Sequence, residues 1–206
     1  MSKLNIRLER REDYREVENL TREAFWNVYR PGCLEHYVLN CLRSDDCFIP
    51  ELSYCIEEDG KIVAHIAYAK AEVTGDDGVS REVAIFGPVS VLPEMQKRGY
   101  GSALINHTLG LAKEMGIPLV LITGNPDYYS RFGFVSASSL GIFYSGMDRA
   151  DEAPFFMAKI LNEKESENIK GVYSDPPVYL ADENEADEFD KAFPYKEKLK
   201  LPGQLF

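Results

Sequence analysis

The sequence predicts an α/β domain in which a mixed, mostly antiparallel sheet is flanked by helices. Three observations lead there. Asp59-Gly60 lies between two apolar runs, and Asp-Gly supplies the positive φ angles of a tight hairpin, so the flanking runs pair antiparallel. The polar stretch Thr74-Gly75-Asp76-Asp77-Gly78 turns the chain again and extends the pair to a three-strand meander. Residues 100–115 then show helical apolar spacing and lead into the wholly apolar Leu119-Val120-Leu121-Ile122, the pattern of a strand buried between layers.

The elements follow in order. Residues 4–8 alternate and predict a strand. Residues 11–26 place Tyr14, Val17, Leu20, Ala24 and Phe25 at helical spacing with acids early, and Pro31-Gly32 breaks the chain before a second helix over 34–42. Strands are expected at 52–56, 62–73 and 79–91. Within the last, Gly87-Pro88 signals a bulge or an edge, because proline cannot donate to a ladder. The backbone beyond it, at Val89, Ser90 and Val91, is then available to an extended, amide-bearing ligand. The helix over 100–115 carries its stripe on Leu104, Thr108, Leu111 and Met115, widened by Ile105 and Ala112, and Gly116 and Pro118 end it. A single short helix fits 126–131, and 134–144 with 155–161 fit a closing pair of strands.

Beyond residue 162 the chain becomes polar, with prolines at 176, 177, 194 and 202. The acid-rich run 182–190 reads as a solvated face or loose arm, with a lid or interaction arm as the alternative, while Tyr173, Tyr179, Phe189, Phe193 and Tyr195 suggest that parts of the tail pack. The expected division is one domain over 1–161 and an acidic extension over 162–206 that packs on it or extends from it.

Charge narrows the function classes. A net charge of -11 and a pI near 4.8 repel phosphate backbones and anionic lipid, so nucleic-acid and membrane partners are not expected. The same field attracts a cationic amine. Cys33, Cys41, Cys47 and Cys55, with His36, His65 and His107, show no metal-ligand spacing, so free thiols in the cytoplasm and no metal are the expectation. Residues 1–11 are polar, and no run approaches the roughly 18 apolar residues of a membrane span.

The segment Gln96-Lys97-Arg98-Gly99-Tyr100-Gly101-Ser102 opens the helix at 100. Helix N-termini carry unpaired N–H groups and a partial positive charge, glycines let a ligand approach, and two cations stand beside them, so the segment suits a pyrophosphate. No Gly-Lys-Ser/Thr follows, which excludes a Walker loop, and the third glycine of the dinucleotide fingerprint is missing.

Together with Tyr129-Ser130-Arg131-Phe132-Gly133-Phe134, this segment resembles the GNAT superfamily of acyl-CoA-dependent N-acetyltransferases. Residues 96–101 match its Gln/Arg-x-x-Gly-x-Gly/Ala motif and 129–134 its Tyr-x-x-x-Gly-Phe element. Gly87-Pro88-Val89-x-Val91-x-Pro93 resembles a subgroup of small bacterial members, and the resemblance covers residues 3–161.

The resemblance implies a fold whose bulged fourth strand splays from the fifth. It implies acetyl-CoA as co-substrate, its pantetheine on the backbone of Val89, Ser90 and Val91. The pyrophosphate falls to the turn made by Gln96, Lys97, Arg98, Gly99, Tyr100, Gly101 and Ser102. Tyr129 takes the position of the general acid, and Asn125 a position that contacts pantetheine or acceptor. Arg131 is expected at the CoA end of the cleft or in a surface salt bridge. The glutamate base of histone-type members falls on Ile85, which cannot accept a proton; Glu82, Glu72 and His65 are other candidates, with a satisfied sheet histidine as the plainer reading of His65. The implied function is acetyl transfer to a small-molecule or peptide amine by a monomer or homodimer, with a non-catalytic acyl-CoA sensor as the alternative.

Overall fold

The computed structural model describes residues 4–205. In chain order the elements are β1 (Asn5–Leu8), α1 (Tyr14–Phe25), α2 (Glu35–Leu42), β2 (Tyr54–Glu58), β3 (Lys61–Thr74), β4 (Ser80–Val91), α3 (Tyr100–Glu114) and β5 (Leu119–Thr123). There follow α4 (Pro126–Tyr129), β6 (Val135–Ser136), β7 (Ile142–Tyr144), β8 (Phe156–Ile160), α5 (Glu163–Ser166), β9 (Gly171–Tyr173) and α6 (Glu183–Asp190). Contacts group these into two compact units, one of residues 1–67, 88–104 and 177–206, the other of 68–87 and 105–176. The division falls within β3, β4 and α3.

In the first unit the Asp-Gly turn takes the conformation its residues favour. Asp59 and Gly60 have φ of 50° and 77°, a pair of positive angles that matches the twist of a two-residue hairpin. β2 therefore pairs antiparallel with β3, setting Cys55 opposite His65, and β1 pairs antiparallel with β2, setting Arg7 opposite Cys55. The strand expected at 52–56 starts two residues later, because Pro50–Leu52 forms a 3-10 turn. α1 and α2 bury Val17, Leu20, Leu39 and Leu42, each at most 2% exposed. Burying such side chains contributes about 1.5–3 kcal/mol apiece.

The acidic run belongs to this unit and is not a loose arm. Asp182 caps α6 by accepting from the N–H groups of Asn184 and Glu185. At the other end Asp190 accepts from Nε and Nη2 of the buried Arg22 at 2.5 and 3.0 Å. Beyond it Lys196 pairs with Glu23 at 2.7 Å, and Trp26 Nε1 donates to the Glu197 carbonyl at 3.0 Å.

In the second unit β4 runs parallel to β5, with Ala84 opposite Val120 and Ile85 opposite Leu121, and β8 lies antiparallel along the whole of β5. Burial explains the apolar run: Leu119 through Ile122 are all buried. The strand expected over 134–144 is broken. β6 pairs with β8, but residues 137–140 form a 3-10 turn closed by Gly141, and β7 leaves β8 to run parallel to β9. Serine chemistry accounts for the break. Ser136 and Ser138 hydroxyls lie 2.9 Å apart and Ser139 Oγ donates to the Ser136 carbonyl at 2.6 Å, giving the backbone local partners in place of a ladder.

β9, from the tail, also pairs antiparallel with β3. Gly171 makes that approach possible: at φ 140°, a Cβ there would stand 2.0 Å from the Thr74 carbonyl oxygen. α3 keeps Leu104, Ile105, Thr108 and Ala112 of its expected stripe buried but turns Leu109 inward and leaves Met115 47% exposed. The helix expected over 126–131 splits into α4 and a 3-10 turn, Ser130–Phe132, closed by Gly133 in the left-handed conformation. Among the described residues no helix is long and apolar enough to cross a membrane.

Candidate active site

The sequence-designated residues fall in two groups, one in each unit. In the first unit, the end of β4 alternates: Ser90 is fully buried, while Val89 and Val91 are half-buried. Ser90 Oγ donates to Thr21 Oγ1 of α1 at 2.9 Å, so what Ser90 can offer a ligand is its backbone. Leu92 N–H donates to the Val63 carbonyl at 3.0 Å and returns the chain to β3 before the turn.

That turn is strongly shaped. Gln96 Nε2 donates back to the Val91 carbonyl at 3.3 Å. Lys97 has φ 62° and Gly99 φ 92°, and alternating left- and right-handed residues gather N–H groups into an anion-binding concavity. The first helical bond of α3 runs from Ala103 N–H to the Gly99 carbonyl at 2.9 Å, so the N–H groups just ahead of it precede the helical ladder. Tyr100 is buried, and its hydroxyl donates to Glu58 Oε2 at 2.8 Å, a contact that raises the phenol and fixes the helix start to the hairpin. Gly101 is buried and helical; Lys97 and Arg98 expose their side chains. The residues therefore fit a polyanion on backbone donors, with two exposed cations beside it.

In the second unit, Asn125 caps α4: its Oδ1 accepts from Asp127 N–H at 2.9 Å, and Pro126 fills the first helical position, where no donor is lost. The helix delivers Tyr129 into an aromatic group, with ring centroids 5.9 Å from Phe86, 6.0 Å from Phe134 and 5.0 Å from Tyr128. Gly124 leaves room for that ring, since a Cβ there would stand 2.4 Å from Tyr129 Cε2. Of the two expectations for Arg131, the surface salt bridge is not met. Arg131 folds back, donating from Nε to the Tyr128 carbonyl at 2.8 Å with its guanidinium 4.3 Å above the Tyr128 ring, and among the described residues it forms no ion pair.

The base candidates separate clearly. Ile85 is buried, Glu72 and Glu82 are exposed, and His65 is fully buried in the first unit. His65 Nε2 lies 3.1 Å from Ser53 Oγ and 3.3 Å from Glu9 Oε1, a structural role for that nitrogen.

Two arrangements escaped sequence reasoning. Around His65, the side chains of Glu9, Glu18 and Arg43 are 1%, 6% and 2% exposed, with Arg43 bonded to both acids. Donor atoms of Glu9, Cys55 and His65 lie within 4.8 Å of one another, but the cation already facing Glu9 is Arg43. In the second unit, Tyr144 and Tyr173 both donate to Asp175. Each depends on a long-range partner: Arg43 is 34 residues from Glu9, and Tyr144 is 31 from Asp175, although Tyr173 is only two residues from it.

The family model for the acetyltransferase (GNAT) domain matches residues 5–137. The chain belongs to the GNAT acetyltransferase family. Within it, the chain is 34% identical over 93 residues to the uncharacterized N-acetyltransferase YjhQ of Escherichia coli K12, a match covering 45% of this chain and 51% of that one. It therefore spans about half the length of that relative. It is 26% identical over 133 residues to YhbS of the same strain, covering 65% and 74%. Among solved structures, E. coli YhbS in complex with CoA superposes with a TM-score of 0.74 at 20% identity, over 87% of this GNAT chain and 93% of that one. A GNAT acetyltransferase from Brucella melitensis in complex with acetyl-CoA gives 0.67 at 25% identity, over 87% and 99%. The fold is the mixed α/β fold of the family.

Proposed function

We propose that this protein transfers an acetyl group from acetyl-CoA to an amine. The observation that carries the reading is the turn at 97–99, whose two left-handed residues gather N–H groups directly ahead of a fifteen-residue helix, inside the segment that matches the family. That two similar structures were solved with CoA and acetyl-CoA supports the same ligand.

In this reading the N–H groups of residues 97–102, opened by Gln96, hold the two linked phosphates, with Lys97 and Arg98 adding charge. The backbone of Val89, Ser90 and Val91 pairs with the pantetheine amides, and an N–H there polarises the thioester carbonyl as its oxygen gains charge. Asn125 keeps its amide nitrogen for pantetheine or acceptor while its oxygen caps α4. The neutral amine forms the C–N bond, the C–S bond breaks, and Tyr129 gives its phenolic proton to the departing thiolate. With Ile85 at the glutamate position, the proton shed by the amine goes to water, directly or by relay. The same Ile85 favours the second reading, an acyl-CoA sensor without turnover.

Thermal unfolding with acetyl-CoA, CoA and ATP tests the first step. Acetyl-CoA at a hundredfold over its Kd is expected to stabilise the fold by about 2.7 kcal/mol, and no stabilisation by either CoA species sinks both readings. Tyr129→Phe is expected to lower thiol release in an amine-acetylation assay about 10²-fold or more with CoA affinity unchanged. Thermal stabilisation without thiol release across an amine panel favours the sensor.

A further inference from the structure

Asp175 is a half-buried carboxylate whose partners are neutral. Tyr173 Oη donates to Oδ1 at 2.8 Å and Tyr144 Oη donates to Oδ2. Among the described residues no Lys, Arg or His forms an ion pair with it. Arg149, on the β7–β8 connection, is committed elsewhere: it pairs with Asp76 and lies over the Phe143 ring. Burial first, and the Asp175 contact second, push the Tyr144 phenol up, so it stays a donor at working pH. An ionised carboxylate has about four lone-pair sites, and these hydroxyls take two of them.

Aromatic rings surround this group. The Tyr144 ring lies 5.6 Å from Phe155, 5.2 Å from Phe156 and 5.8 Å from Tyr173, and Phe156 stacks on Tyr173 at 5.1 Å. Phe155 is 39% exposed, an apolar ring left in water against the ring of Tyr144, whose hydroxyl holds the carboxylate. The group continues to Tyr129: Gly124 N–H donates to the Phe155 carbonyl at 2.7 Å, and the Tyr129 ring lies over Gly124. The connection 145–155 adds Asp148, Asp151 and Glu152 against the single cation Arg149.

A carboxylate fixed by neutral donors, without a cationic partner among the described residues and held by tyrosines that sit in an aromatic cluster, has the composition that recognises an ammonium group. We propose that the acceptor carries an ammonium group besides its reacting amine, and that Asp175, Tyr144 and Phe155 hold it. The anchored nitrogen is distinct from the reacting one, which must lose its proton to attack. This rests on the acetyltransferase reading above and adds to it the class of acceptor.

Two measurements separate the fate of each. In turnover, α,ω-diamines of three to six carbons are compared with amino alcohols of equal length. The wild type is expected to show a KM about tenfold or more lower for its best diamine, and Asp175→Asn to abolish that preference with acetyl-CoA affinity unchanged. Equal KM values for the two series in the wild type, or a preference that survives in Asp175→Asn, overturn the proposal. In binding, choline, a cation with no amine to acetylate, is titrated by NMR. Chemical-shift changes are expected in the wild type, lost in Asp175→Asn and weakened about two- to fivefold in Phe155→Leu, whose ring is already part-exposed. Absence of choline binding in the wild type also overturns it. If choline binds through Asp175 but no amine is acetylated, the acetyltransferase reading fails and the cation site stands. Melting temperatures check that each variant is folded.

Discussion

Two groups of buried or half-buried charge, one in each unit, are built on opposite principles. Around Glu9 the books balance: Arg43 bonds to Glu9 and Glu18, Ser53 Oγ donates to Glu9 at 2.9 Å, and His65 stands 3.3 Å away. Around Asp175 the donors are two tyrosine hydroxyls, and among the described residues no cation answers the charge. A closed set of opposite charges away from water does structural work, because removing any member strands the others. A carboxylate held only by neutral donors at a part-exposed position is stable alone and still attracts a cation. The difference between a stabilising ion network and a binding group therefore lies in the partners, not in burial.

The largest expected effect breaks the closed set. Arg43→Met leaves Glu9 and Glu18 buried without their guanidinium and is expected to cost about 3–5 kcal/mol in urea unfolding. A loss below about 1 kcal/mol means that the network is not closed as described.

Acid attacks the same unit by two routes. Burial holds the His36 ring down to about 4 despite Asp190 3.0 Å away, so the folded state resists a proton that the unfolded state accepts near 6.5. Stability is then full above about pH 6.5 and is lost as pH falls toward 4, by up to about 3 kcal/mol at about 1.4 kcal/mol per tenfold change in proton affinity. Glu9 adds a second window. Burial raises it, but His65 and Arg43 overcome that and hold it at about 2, so its contribution disappears as pH falls from about 4.5 toward 2. Urea midpoints at pH 7, 5.5 and 4.5 check the first window, and a flat profile there contradicts it.

The smallest effect sharpens the other side. Asp175→Asn keeps the shape and one acceptor oxygen, the second phenol can turn its hydroxyl to accept from the new amide N–H, and no partner charge is stranded, so the stability cost is expected to be about 1 kcal/mol. A cost of the Arg43→Met size makes Asp175 structural.

Legibility in the sequence followed the range of the interactions. The hairpin was readable because Asp59 and Gly60 carry its conformation in two residues, and the helix start because Gly99 stands at its boundary. The break at 137–140 escaped because apolar Val135, Leu140 and Ile142 read as one strand, while serine hydroxyls and Gly141 redirected the backbone. The tail's polarity hid β9, whose place depends on Gly171 passing close to Thr74. Tyr129 could be singled out by its motif, but its aromatic neighbours could not.

By itself the chain determined its turns, its buried strand β5, the glycine-shaped start of α3 and its family, since each is encoded by residues close in sequence. Only tertiary structure decided which charges are answered. Arg43 meets Glu9 and Arg22 meets Asp190 across 34 and 168 residues, while Asp175 meets two phenols instead of a cation. Local propensity cannot choose partners at such separations; the packing of helices and strands does, by fixing which side chains share one desolvated space.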